Sequence, residues 1–151
     1  MLEEIMQIPI KPVLDDRGIL RAIEYFPEDV KRAYMIQNYN NDVVRAFHGH
    51  RFEKKWLFVI QGDIQLCTLK IEDYENKDLL YPDYVTTQYF GSIFLNQLIE
   101  IPAGYFQGWK ALTNDTIVMF LSNKTVEESK TDDIRLPWDI FGKELWNAEN
   151  R

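Results

Sequence analysis

The sequence of 151 residues is poor in cysteine and histidine, with one cysteine and two histidines. The single cysteine, Cys67, excludes an internal disulfide and fits a reducing compartment, for which the cytoplasm is the natural assignment. A continuous apolar run of about 18 residues is also lacking, so we expect no membrane span. The first residues, Met1–Glu4, are acidic where a secretory signal needs a basic start. We therefore expect no secretory signal.

An excess of positive charge is lacking as well. The net charge of −7 argues against nucleic acid or an acidic membrane surface as the main partner. It leaves a phosphorylated ligand open, because a few local arginines can hold a diphosphate inside an acidic protein. Hydrophobic residues make up 46% of the chain and aromatics 14%, which suits one folded domain over residues 1–151.

Short β-rich runs separated by turn residues dominate the sequence, at spacings typical of an all-β sandwich or barrel. Runs rich in β-branched and aromatic residues disfavour helices. Only the tail, about Pro137–Asn150, is compatible with a short helix, and the polar stretch Glu72–Asp83 is predicted to be a loop. The predicted strands are Ile19–Tyr25, Arg32–Gln37, Val43–His50, Lys55–Ile60, Asp63–Ile71, Thr86–Phe90, Ser92–Leu95, Gln97–Ile101 and Thr116–Leu121.

Alternation is clearest in the run Lys55–Gln61. Trp56, Phe58 and Ile60 share one face, whereas Lys55, Leu57, Val59 and Gln61 share the other. A mixed face that begins with a lysine is typical of a barrel interior with a polar mouth.

Both histidines fall in one predicted strand, as His48 and His50, so they point to the same face. Two ionisable rings on one face are costly to bury without a task, and Arg45 and Lys55 lie close by in the sequence. These four residues are the candidate chemical centre.

Binding a catalytic metal is one possible role for the two histidines. Lysines occupy the positions where a metal-binding His-x-His strand would carry its glutamate, and Glu53 lies one residue too early. The third histidine position is taken by Gln107. A cation beside two lysines would be repelled, so we expect no metal and no cofactor.

General base catalysis is the second possible role for a histidine in this strand. A neutral imidazole can take a proton from carbon beside a ketone, because its pKa lies near neutrality. The carbanion is tolerable only when the carbonyl oxygen becomes a stabilised enolate, and a lysine ammonium such as that of Lys55 stabilises it by charge and hydrogen bonding.

Much of the chain, from Ile8 to Trp138, resembles the dTDP-4-dehydrorhamnose 3,5-epimerase family and the related dTDP-sugar 3,4-ketoisomerases of the WxcM-like type. Asp16-Arg17-Gly18 is similar to the opening segment of both families. The segments similar to epimerases are Val44-Arg45-Ala46-Phe47-His48, Lys55-Trp56-Leu57 and Ile101–Trp109. The segments similar to ketoisomerases are Gly18–Glu24, Lys31-Arg32-Ala33-Tyr34 and His48-Gly49-His50-Arg51.

The resemblance implies a cupin fold, an all-β jelly-roll barrel with a short carboxyl-terminal helix, and a homodimer. It also implies a metal-independent isomerase for a sugar nucleotide, such as a dTDP-linked 4-keto-6-deoxyhexose used in cell-surface polysaccharides. By this resemblance His48 is the base, Lys55 stabilises the enolate, and Asp132 or Asp133 orients the imidazole. Substrate-binding positions are Arg45, which would hold the diphosphate, His50, Tyr34, Arg17, Gln107 and Phe120.

Three outcomes stay open. An epimerase acting at C3, C5 or both is the leading hypothesis, although Phe120 stands where the epimerases place a proton-returning tyrosine, and Gln107 replaces a histidine. A 3,4-ketoisomerase would begin with the same loss of the C3 proton, although Lys55 stands where that family carries glutamine. The third outcome is a sugar-nucleotide-binding cupin without turnover.

Overall fold

Antiparallel β-strands form almost all of the regular structure in the computed structural model of the chain, which describes residues 3–76, 84–93 and 96–151. The strands are β1 Met6–Pro9, β2 Val13–Asp15, β3 Gly18–Leu20, β4 Arg32–Gln37, β5 Val44–His50, β6 Lys55–Gln61, β7 Asp63–Lys70, β8 Thr86–Gly91, β9 Gln97–Ile101, β10 Tyr105–Ala111, β11 Ile117–Ser122 and β12 Ile134–Arg135. Two short helices, α1 Ile71–Asn76 and α2 Val126–Lys130, and a 3-10 turn at Lys143–Trp146 complete the described elements.

Two five-stranded sheets face each other. One has the order β1-β9-β6-β11-β4 and the other the order β12-β5-β10-β7-β8, while β2 and β3 form a separate hairpin. Leu57 and Phe120 from the first sheet pack with Leu66 and Trp109 from the second in one buried cluster. The inward faces of both sheets therefore make the core, as expected for the predicted all-β jelly roll, which is confirmed.

The alternation predicted for β6 is present. Leu57 and Val59 lie in the cluster between the sheets, whereas Trp56 and Phe58 pack on the outer side against Leu98. Lys55 shares the inner face with Leu57, so its side chain is carried into the space between the sheets. This is the feature of the fold that places a lysine among apolar residues.

Several predicted boundaries differ from the structure. Only Ile19 and Leu20 of the predicted strand Ile19–Tyr25 lie in a strand, β3, and the predicted loop Glu72–Asp83 begins within helix α1. Its remaining residues, 77–83, lie outside the described residues, as do 94–95 of the predicted strand Ser92–Leu95, whose first two residues form a bend. The predicted carboxyl-terminal helix is present as the single 3-10 turn at Lys143–Trp146.

Strand β10 has no counterpart among the predicted strands. Its residues are buried on both faces except for Lys110, so the sequence shows no alternation there. Among the described residues, no helix has the length and apolar character needed to cross a membrane.

Candidate active site

Strand β5 carries three of the candidate site residues, and a bulge sets which way they point. His48 pairs with Gln107 of β10 and Arg45 pairs with Trp109, so two residues of β5 oppose the single residue Gly108. A bulge of this kind breaks the two-residue alternation and brings Arg45 to the same face as His48. A Cβ on Gly108 would lie 2.4 Å from the Cβ of Ala46, so the close approach requires glycine there.

A cavity of about 190 Å³ opens between the two sheets, on the side where β4 and β5 lie without pairing to each other. Its lining contains both of the residues assigned by resemblance to the base and the enolate stabiliser, together with four of the assigned substrate-binding residues. The lining residues are Tyr34, Ile36, Arg45, His48, Lys55, Gln107, Trp109 and Phe120. The cavity is therefore the candidate active site.

Lys55 reaches this cavity from the first position of β6 and is 8% exposed. Its Nζ lies 3.1 Å from Nε2 of His50 and 3.8 Å from Oε1 of Glu53. Burial lowers the pKa of Lys55, whereas Glu53 raises it and Arg32 lowers it further. The ammonium is thus held in a poorly solvated place, where it interacts strongly with a developing negative charge.

His48 is half-buried, and its Nδ1 lies 3.7 Å from Oδ1 of Asp133. Burial and the nearby Arg135 guanidinium lower the pKa of His48, and the Asp133 carboxylate opposes them. The ring is consequently neutral at neutral pH. With Nδ1 turned towards Asp133, Nε2 is the nitrogen available to accept a proton.

The two aspartates proposed for the imidazole have different surroundings. Asp133 faces His48 and accepts a hydrogen bond of 2.7 Å from Nε of Arg135. The carboxylate of Asp132 instead accepts backbone N–H groups of residues 51–53, at 2.8–3.1 Å. Asp132 therefore clamps the turn between β5 and β6, and the geometry favours Asp133 as the partner of His48.

His50 is buried beside Lys55, and its hydrogen bonds define one tautomer. Its Nδ1 lies 3.0 Å from the carbonyl oxygen of Asp132 and 3.1 Å from Oε2 of Glu53. Both of these atoms are acceptors, so Nδ1 carries the hydrogen and Nε2 accepts from the Lys55 ammonium. His50 is therefore a neighbour of Lys55, and it does not line the cavity.

The other assigned substrate-binding residues divide into two groups. Tyr34 stacks on Phe120 across β4 and β11 with ring centroids 5.3 Å apart, and burial raises the pKa of Tyr34 to about 12. Arg45 donates to Asn38 at 2.6 Å. Arg17, in contrast, lies at the tip of the β2–β3 hairpin, paired with Asp15 and outside the cavity.

Gln107 is buried in the cavity wall at 7% exposure. Among the described residues, no donor reaches its Oε1. A buried acceptor without a partner is costly, so this oxygen is suited to a hydroxyl group of a bound ligand.

Glu53 is the residue that sequence reasoning set aside. Its side chain is fully buried, next to both His50 and Lys55. The sequence signal for this role is a glutamate three residues after His50 and two before Lys55, a spacing that also invites comparison with a metal ligand. Across residues 3–76, 84–93 and 96–151, no group of three or more histidine, cysteine, aspartate or glutamate side chains is arranged to hold a metal ion.

Comparison with known protein families gives a match over most of the chain. The family model described as FdtA: WxcM-like, C-terminal matches residues 3–135. The chain belongs to the FdtA family. The WxcM-like resemblance expected from the sequence is thereby confirmed, and no curated protein matches this FdtA-family chain.

Solved structures share the fold of this FdtA-family chain. QdtA, a sugar 3,4-ketoisomerase from Thermoanaerobacterium thermosaccharolyticum in complex with TDP, is 22% identical with a TM-score of 0.70, over 95% of this chain and 96% of QdtA. A dTDP sugar isomerase from Desulfovibrio desulfuricans G20 is 14% identical with a TM-score of 0.74, over 99% and 94%. The dTDP-4-dehydrorhamnose 3,5-epimerase of Bacillus anthracis is 19% identical with a TM-score of 0.70, over 94% and 82%.

Proposed function

We propose that this FdtA-family chain is a sugar-nucleotide isomerase that moves the ketone of a dTDP-linked 4-keto-6-deoxyhexose from C4 to C3. The observation that carries the proposal is the cavity that His48 and Lys55 both line. A neutral base and a buried cation in one cavity are what proton removal beside a carbonyl requires. A mutant of the QdtA ketoisomerase, one of the structural neighbours, binds TDP-4-keto-6-deoxyglucose, a ligand of this kind.

The first step removes the hydrogen at C3. Nε2 of His48 takes the proton, and the electron pair of the C3–H bond forms a C3–C4 double bond while the O4 oxygen becomes negative. The Lys55 ammonium stabilises that oxygen and then gives it a proton, which produces an enediol. Asp133 stabilises the imidazolium that has formed on His48.

The second step returns a proton to carbon. The His48 imidazolium protonates C4, and the O3 hydroxyl loses its proton to the neutral amine of Lys55 as the C3 ketone forms. Both groups regain their starting protonation states, so the chemistry balances without a co-reactant. One base on one side of the sugar is sufficient, because the carbon proton moves only to the adjacent atom.

Two observations favour the ketoisomerase over the epimerase. The matched family model is the WxcM-like FdtA one, the type to which the ketoisomerase resemblance of the sequence points. Inversion of a carbon centre also needs an acid on the opposite face of the ring, and Phe120 lacks one. Tyr34 keeps the epimerase as a second candidate, because its phenol stacks on Phe120 and stays protonated.

Product identification tests the proposal. The protein is incubated with dTDP-4-keto-6-deoxyglucose, and the product is identified by carbon NMR. We expect a sugar with its ketone at C3. A 4-keto sugar inverted at C3 or C5 would support the epimerase, whereas tight binding without any conversion would support a binding protein.

We also propose a homodimer, formed through the β2–β3 hairpin. The hairpin and the following segment expose large apolar side chains, with Leu14 at 75%, Leu20 at 61% and Phe26 at 64%. An exposed apolar surface of this kind is typical of an interface, and a second copy of the chain would cover it. Sedimentation is expected to give a dimer that Leu14→Asp weakens; a wild-type monomer at micromolar concentration would contradict it.

The cellular setting is part of the same proposal. A ketoisomerase of this type would act in the cytoplasm, in the synthesis of sugars for cell-surface polysaccharides. Cys67 is a buried free thiol, and free cysteines without a disulfide are typical of proteins from a reducing compartment.

A further inference from the structure

Glu53 is a fully buried carboxylate that does not line the candidate active site. It lies in the connection between β5 and β6. An ionised carboxylate is retained inside a protein only when charges and hydrogen bonds replace its lost water. The partners of Glu53 therefore indicate what its charge is for.

Three donors form hydrogen bonds to the two oxygens of Glu53, and His50 lies beside them. Oε1 accepts from Nη2 of Arg32 at 3.0 Å and from Oγ of Ser122 at 2.6 Å. Oε2 accepts from Oγ of Ser129 at 2.6 Å and lies 3.1 Å from Nδ1 of His50. Burial alone would raise the pKa of Glu53, but Lys55 and the hydrogen bonds from both serines leave the pKa below its ordinary value. The carboxylate is therefore ionised.

We infer that Glu53 is a positioning residue, whose charge beside Nδ1 of His50 favours the tautomer that accepts from Lys55 and keeps the Lys55 ammonium charged inside the barrel. The inference rests on the proposed function, in which Lys55 acts on the O4 oxygen. His50 stands between the two groups, with one ring nitrogen towards Glu53 and the other towards Lys55. Glu53 thus acts on the substrate only through its neighbours.

The charge of Lys55 depends on groups from several elements. Burial lowers the pKa of Lys55, and among the charged neighbours Glu53 opposes that effect most. The ionisable groups that face Lys55 are Glu53, His50 and His48, Arg32 from β4, and Asp132 and Asp133 ahead of β12. Loss of the Glu53 charge would lower the pKa of Lys55 further, so the amine would lose its proton at a lower pH.

The pH dependence of Glu53→Gln tests the inference. We expect kcat/KM near neutral pH to fall by about 100-fold, the cost of misplacing a catalytic group by about 1 Å. We also expect the alkaline limb of the profile to move to lower pH, because a neutral lysine no longer stabilises the enolate. Glu53→Asp should restore the position of the limb. An unchanged alkaline limb in Glu53→Gln would overturn the inference.

Glu100→Gln is the matched control. Glu100 is also a buried glutamate, and it accepts from Nε1 of Trp56 at 2.7 Å and pairs with Lys54 at 3.3 Å. It does not line the cavity. This variant should be less stable, but the alkaline limb of its pH profile should stay where it is in the wild type. If the limb moved as far as in Glu53→Gln, the shift would be a general effect of removing a buried charge.

Imidazole NMR gives a readout that needs no turnover, since the chain has only two histidines. Lys55 lowers the pKa of His50 and Glu53 raises it, after the lowering due to burial. The pKa of His50 should therefore be lower in Glu53→Gln and higher in Lys55→Met than in the wild type. If Glu53→Gln does not fold, the Lys55→Met titration decides. If no folded variant changed the pKa of His50, the inference would be overturned. If the wild-type protein converted no substrate, only the proposed function would be overturned.

Discussion

Replacing His48 by asparagine is expected to slow conversion of the sugar nucleotide by about 100-fold to 10,000-fold, the range that general base catalysis contributes. Asparagine fills a similar volume and keeps hydrogen-bonding groups, but its side chain cannot take a proton from carbon at neutral pH. The neutral state of His48, which burial and Arg135 favour by lowering its pKa, is lost with the ring. The measurement is kcat at saturating substrate, followed by NMR.

A second variant and a binding measurement serve as controls for His48→Asn. Asp133→Asn keeps the ring and removes only its carboxylate neighbour, so its loss of kcat should be smaller. Nucleotide binding by His48→Asn should stay close to that of the wild type, because the base acts on the sugar. Conversion by His48→Asn within a few-fold of the wild-type rate would show that another group removes the proton.

Replacing Lys55 by methionine is expected to lower kcat by about 100-fold to 1,000-fold, the cost of removing one donor from a stabilised oxyanion. Methionine keeps an unbranched apolar stem in the cavity, so the main loss is the ammonium. The effect is large because Lys55 lies in a buried site, where charge is weakly screened. Steady-state kinetics at neutral pH measures it.

Lys54 supplies the control for this variant. It is the adjacent residue, and its Nζ pairs with Glu3 and Glu100 on the other side of the strand. Lys54→Met should leave kcat nearly unchanged. If Lys55→Met had equally little effect, the ammonium would not be the group that stabilises the enolate.

The strands that could be predicted are those in which the side-chain pattern carries the signal. Arg32–Gln37 and Gln97–Ile101 match β4 and β9 residue for residue. The alternation of Lys55–Gln61 predicts which of its side chains face inward. It places Lys55 on the same inward face as the core residues. Strand β10 was missed because burial on both faces removes the alternation, and β12 because two residues carry no period.

The site could be predicted in part. His48 and Lys55 were identified from their residue types and from family resemblance, and the structure brings them to one cavity. The common face of Arg45 and His48 depends on a bulge, which arises from strand pairing with β10 and leaves no mark in the β5 sequence. The burial of Glu53 depends on Arg32, Ser122 and Ser129, which are distant in sequence.

Loss of the hydrogen at C3 is the step on which the whole account depends. Its most direct test uses dTDP-4-keto-6-deoxyglucose deuterated at C3 and, separately, at C5, with the label followed by mass spectrometry and NMR. We expect that deuterium leaves C3 during turnover, passing to water or to C4, and that deuterium at C5 stays in place. A C3 label that stays in place while product forms would contradict it.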